Sequence, residues 1–200
     1  VASYRPLFVL TIVFSVVLFL VYRSISEQHQ PRRVQTTMSR SSGTFVTKMS
    51  VLGMVDNFGA GMAGSLVAYW FFLRFGVELK SLGMIFFASY FLAAISFLIA
   101  PIIARRIGVV RTMAFSHGLA SFIYLFLPLA PTLALAAALL MIRSFFAYMD
   151  NPLRASFTMA MVQSNERGSA AGVTNLARIV PFGISPTIAT YLMQNISLTL

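Results

Sequence analysis

Residues 133–161 read LALAAALLMIRSFFAYMDNPLRASFTMAM, an apolar run from Leu133 to about Met161 that holds only Arg143, Asp150 and Arg154 as charged residues. About 20 such residues in a helix cross the hydrocarbon core of a bilayer. Comparable runs cover Pro6–Tyr22, Met49–Leu73, Leu82–Ile103, Thr112–Leu129 and Ala170–Met193. Six spans, parted by short polar segments, make this an all-α, polytopic helical membrane protein that folds against lipid.

The composition agrees. Hydrophobic residues make up 58% of the chain and charged ones 10%, with mean hydropathy +0.82, which a water-soluble domain would not carry on its surface. Lipid is as apolar as the helices, so small-residue packing and polar contacts must choose helix partners. The absence of cysteine excludes disulfides, thiolate metal sites and cysteine nucleophiles. The first residue is Val1, no signal-peptide layout precedes the first span, and Ile196–Leu200 resembles the start of a further span, so the chain reads as a fragment of a longer protein.

A formal charge of +10 could suggest a nucleic-acid partner, but its distribution argues against one. With helices alternating in direction, one side carries Arg23, Arg32, Arg33, Arg40, Lys48, Arg105, Arg106, Arg111, Arg154 and Arg167, and the other only Arg5, Arg74 and Lys80. That asymmetry is the positive-inside bias and assigns the first set to the cytoplasm. The basic segments lack interleaved stacking aromatics, so no nucleic acid is expected.

Arg23–Thr47 is the one long polar interruption. It divides the chain into a helix over residues 1–22 that closes an absent N-terminal bundle, a basic cytoplasmic linker over 23–48, and a five-helix bundle over 49–200 with the start of another helix. In the second span Gly53, Asn57, Gly61, Gly64 and Ala68 recur at steps of three and four, a face that admits close helix approach or a flexible pathway-lining helix. Asp56 is an intramembrane carboxylate and needs a partner or a proton.

In the fifth span Arg143, Ala147, Asp150 and Arg154 share one face, and Asn151-Pro152 follows, where proline removes a backbone hydrogen bond. The sixth span places Asn175, Arg178 and Phe182 on one face and carries Pro181 and Pro186 as further hinge points. Charges of both signs at similar depth are cheapest in a shared wet cavity, so Asp56, Asn57, Arg143, Asp150, Asn175 and Arg178 form the candidate substrate or proton pathway. Static ion pairing is the alternative for the same residues. His117 lies on a span with no other charge and reads as a packed or hydrogen-bonded histidine. Tyr69-Trp70-Phe71-Phe72 reads as an interfacial anchor. Asn195-Ile196-Ser197 matches the glycosylation triplet beside the membrane and is given no role. No hydrolase, Walker or dinucleotide motif occurs, and neither catalytic residues, a metal site nor a cofactor is expected.

Two stretches carry a resemblance. Pro101-Ile-Ile-Ala-Arg105-Arg106-Ile-Gly108-Val-Val-Arg111 resembles a loop signature of the major facilitator superfamily, with Arg106 and Gly108 at its basic and glycine positions, Arg105 where it has an acid and Pro101 where it has its first glycine. The stretch Leu139 to Pro152, followed by Asn165-Glu166-Arg167-Gly168, is similar to that family's arginine, proline and Arg-Gly progression. The chain resembles the family's C-terminal half, from its sixth helix to the end of its eleventh. The resemblance implies a secondary transporter, with Arg143 in proton or substrate coupling and Arg105, Arg106, Gly108, Arg154, Glu166 and Arg167 at a cytoplasmic loop or gate.

Residues and resemblance lead to one expectation: a multi-pass protein of the cell membrane, not an enzyme, that moves a small amphiphilic or apolar solute by alternating access. A proton is the candidate coupling ion, export is slightly preferred, and the partners are the solute, the bilayer and the missing N-terminal half. The alternative is a non-transporting receptor or scaffold whose buried charges are structural.

Overall fold

The computed structural model describes residues 5–25 and 38–195, which are helical apart from short links. Most of the stretch read as a linker, the start of a further helix at Ile196–Leu200 and the triplet beyond Asn195 lie outside the described residues. The elements are α1 (Arg5–Ser24), α2 (Arg40–Phe75), α3 (Leu79–Ile107), α4 (Val109–Phe126, then a 3₁₀ turn Leu127–Leu129), α5 (Leu133–Met161) and α6 (Arg167–Asn195). Helix α1 belongs to a separate compact unit. Among the described residues four helices, α2 to α5, are long and apolar enough to cross a membrane, while α1 holds a shorter apolar stretch, Phe8–Ser24.

The ends of these helices follow local chemistry. Ser39 caps α2 by accepting from the Ser42 backbone N–H, which extends the helix back to Arg40, well before the Met49 expected from hydropathy. Gly76, at φ 61°, stops the same helix in the left-handed conformation and donates its N–H to the Phe72 carbonyl. Gly108, at φ 94°, is the whole link between α3 and α4. The expected Ala104–Arg111 loop is therefore helix on both sides of one glycine, since only glycine adopts that backbone cheaply. Thr132 caps α5 by accepting from the Leu135 N–H.

The bundle is packed through small residues and faces outward with large ones. Along α3 the buried positions Ser89, Ala93, Ser96, Ala100 and Ala104 form one stripe, while Phe87 and Leu98 on the same helix are 73% and 75% exposed. Helix α4 repeats this with Thr112, Ser116 and Ala120 buried. The buried hydroxyls donate back along their own helices, Ser89 to Ile85 and Ser96 to Ala93, so they add no unpaired polar group to the seam. This is the arrangement expected where close van der Waals contact and not water exclusion joins helices. At the end away from the basic residues, Val67, Phe71, Val77, Leu82 and Leu127 form an apolar plug. Phe71 is fully buried there, so the aromatic run at 69–72 is only in part an exposed anchor, through Tyr69 and Phe72.

Packing divides the bundle into two leaves. Helix α2 lies along α6, and α5 lies along both α3 and α4, whereas α5 meets α2 and α6 only narrowly. Polar contacts cross that narrow seam.

Candidate functional site

The seam between the leaves is bridged by one charged network. On α5, Arg154 follows Asp150 by one turn and pairs with its carboxylate. The same guanidinium reaches α2, where its Nη1 lies 3.2 Å from Asp56 Oδ2. The other Asp56 oxygen, Oδ1, lies 3.1 Å from His117 Nε2 on α4. One arginine thus holds carboxylates from two helices, and a histidine from a third completes the ring of contacts. Asp150 is buried, and Asp56 and Arg154 are about four-fifths buried. A second link crosses the seam where Arg178 Nη2 on α6 donates to Asn151 Oδ1 on α5, at 2.9 Å.

Beside this network lies a cavity of about 340 Å³ whose lining includes Asp56, Asn57, Arg143, Asp150, Arg178 and Phe182. An adjoining cavity of about 350 Å³ shares Asp56, His117 and Arg143 and extends to Tyr124. Arg143 sits over the Tyr124 ring, Cζ 4.6 Å from its centroid, a cation–π contact that fixes the guanidinium plane. The Nε atoms of both Arg143 and Arg178 are buried without a hydrogen-bond partner.

Glycine and proline set the α2–α6 geometry that holds Asp56 and Arg178 near one another. A Cβ at Gly61 would lie 2.7 Å from the Phe182 carbonyl oxygen and 2.1 Å from Ser185 Oγ, so no side chain fits there. Pro186 cannot donate to the Phe182 carbonyl, and Ser185 Oγ does so instead, at 3.3 Å. A Cβ at Gly53 would meet the Arg178 side chain, Cγ at 3.0 Å. Gly64 has open space around it and lines the cavity. Pro152, Pro181 and Pro186 all lie inside continuous helices.

Residues 1–186 match the family model described as Major Facilitator Superfamily. The chain belongs to that superfamily. It is a membrane transporter of the major facilitator kind, and the helical bundle and cavity above are its fold and interior. No curated protein and no solved structure matches it.

Within this major facilitator bundle, Asp56, Asn57, Arg143, Asp150 and Arg178 line one cavity. Asn175 does not join them. It is exposed and lines a groove of about 230 Å³ with Arg154, Thr174 and Arg178, because it lies about one helical turn nearer the start of α6 than Arg178. Arg154, counted with the loop residues, belongs to α5 and to the network, where two carboxylates neutralise it. His117 is hydrogen-bonded, as expected of a lone histidine, but its partner is the carboxylate of Asp56, a pairing that no local spacing reveals.

The remaining loop residues take distinct places. Arg105 and Arg106 are exposed in the last turn of α3, and Arg167 is exposed at the first position of α6. Glu166 is 2% exposed. Its carboxylate accepts from the Ser39 N–H at 2.6 Å and from Ser39 Oγ at 3.3 Å, joining the start of α2 to the α5–α6 turn. The Ser42 hydroxyl first, then the Ser39 N–H, hold this carboxyl below its ordinary range. An acid at a helix start also meets the positive end of the helix dipole.

Metal binding has a specific obstacle. Donor atoms of Asp56, His117 and Asp150 lie within 4.8 Å of one another, but Arg154 already occupies both carboxylates.

Proposed function

We propose that this transporter moves a small solute by alternating access and that a proton controls the link between its two leaves. The observation that carries this reading is the single Arg154 guanidinium shared by Asp56 on α2 and Asp150 on α5. With both acids ionised and His117 neutral, the four groups sum to minus one. One proton, on His117 or on either carboxylate, brings these four groups to neutrality, and Arg143 and Arg178 on the same cavity then carry the positive charge that a solute can meet.

A proton on Asp56 weakens its hold on Arg154, and Asp56 is the charged tie from α2 to α5 and α4. Because α2 and α5 otherwise touch narrowly, losing that tie lets the α2–α6 leaf move against the α3–α4–α5 leaf. Binding and coupling then share one cavity, lined by Asp56, Asn57, Arg143, Asp150 and Arg178. A preceding bundle completes the central site, and the basic end faces the cytoplasm of the cell, as the charge bias suggests. The Glu166 contact keeps the basic ends of α2 and α6 together through the motion.

The test uses the full-length protein in liposomes with a trapped pH-sensitive dye. Three membrane-impermeant or weakly permeant probes of different charge are added in turn: benzenesulfonate, benzenesulfonamide and benzyltrimethylammonium. Proton movement driven by at least one of them, absent from protein-free liposomes, is the expected result. Silence with all three favours a non-transporting membrane protein with structural ion pairs.

A further inference from the structure

We infer that the solute carries an oxyanionic group, bound in the cavity between Arg143 and Arg178, with an apolar or aromatic body lying on the neighbouring rings. The inference deepens the transport reading above and rests on it for the solute's passage, though not for its binding.

The whole sequence has five acids: Glu27, Asp56, Glu78, Asp150 and Glu166. Glu27 lies outside the described residues, Glu78 precedes α3 at the opposite end of the bundle, and Glu166 is engaged by Ser39 and Ser42. The two acids inside the bundle, Asp56 and Asp150, are both held by Arg154. Arg143 and Arg178 therefore have no carboxylate within 4.0 Å among the described residues. Three arginines against two aspartates leave the site at plus one, with His117 counted as neutral.

An intramembrane cation without a counterion is unfavourable, and both of these face a cavity instead of reaching for the membrane surface. Their remaining contacts are weak ones for a guanidinium. Arg143 has the Tyr124 ring and Arg178 the neutral Asn151 amide, and each keeps a buried Nε–H without an acceptor. A planar guanidinium held in place with free donors is suited to an oxyanion, which accepts two of its hydrogen bonds at once. Tyr90, Tyr148 and Phe182 line the same cavity and offer apolar faces for the rest of the molecule. At about 340 Å³ the space suits a small amphiphile. Carboxylate, sulfonate and phosphate heads share the required chemistry.

The experiment measures thermal unfolding of the purified full-length protein with the three probes at equal ionic strength. Benzenesulfonate is expected to raise Tm by about 5 °C or more at saturation, and benzenesulfonamide and benzyltrimethylammonium to leave it unchanged. Arg143→Gln and Arg178→Gln should each weaken benzenesulfonate binding about tenfold or more. Should either variant fail to fold, Arg143→Lys and Arg178→Lys replace them, with binding weakened and still selective for the anion. Equal or greater stabilisation by the neutral or cationic probe, or no shift with any probe, overturns the inference. Proton flux driven by benzyltrimethylammonium or benzenesulfonamide but not benzenesulfonate leaves transport standing and removes the anion, whereas no flux and no binding removes both.

Discussion

Replacing Arg154 with Gln removes the cation that Asp56 and Asp150 share, so it tests the network at its centre. Breaking a buried pair by deleting one partner costs about 3–5 kcal/mol, because a desolvated charge is left behind. Asp56 keeps His117 at 3.1 Å and about a fifth of its side chain is exposed, so the expected loss is at the lower end, about 3 kcal/mol. Asp150 is more deeply placed, with 4% side-chain exposure, and accounts for most of it. The double variant Asp150→Asn with Arg154→Gln removes that stranded charge and should recover about 1–2 kcal/mol relative to Arg154→Gln alone. Thermal unfolding of the full-length protein in lipid reads the difference as a Tm fall of about 6–12 °C for the single variant. A single variant within about 1 kcal/mol of wild type, or a double variant no more stable than the single, would refute the shared-cation account.

Gly61→Ala should cost about 1–3 kcal/mol and loosen the α2–α6 seam, because its Cβ meets the Phe182 backbone at 2.7 Å. Gly53→Ala meets only the flexible Arg178 side chain, at 3.0 Å, and should spare stability while altering probe binding, both read by the same unfolding assay. Glu166 has its carboxyl held below the ordinary value of 4.5, so its contribution to stability is fully present above that pH and disappears as pH falls through the lower folded value. A wild-type unfolding curve that weakens over that acid range, with the dependence reduced in Glu166→Gln, is the expected outcome.

The spans were legible because crossing a bilayer imposes a length and an apolar composition that few other folds meet. Leu133–Met161 is read from sequence with the ends that the structure gives it. The faces of single helices follow the same periodic logic: Arg143 and Asp150 line one cavity, and Gly53 and Gly61 both face α6. What lies between helices does not follow from it. The pairing of Asp56 with His117 depends on how α2 and α4 are rotated about their axes, and beyond Arg111 in its first turn α4 carries no charged residue to orient it. Arg154 counts both among the cytoplasmic basic residues and on the Arg143–Asp150 face, and the carboxylates of Asp56 and Asp150 draw it inward. Asn175 shares a groove with Arg154 and Arg178 and not the larger cavity, a difference of depth along α6 that periodicity does not report.

Uphill transport compared with exchange decides whether the Asp56–Arg154–Asp150 link senses protons. Asp56→Asn and Asp150→Asn keep size and hydrogen bonding but cannot change charge. In liposomes containing the full-length protein, whichever probe drives proton movement in wild type is followed both for accumulation under an imposed pH gradient and for exchange at equal pH. The account predicts that at least one of the two variants loses gradient-driven accumulation while exchange persists. Full proton-driven accumulation by both variants would contradict it and make these ion pairs structural.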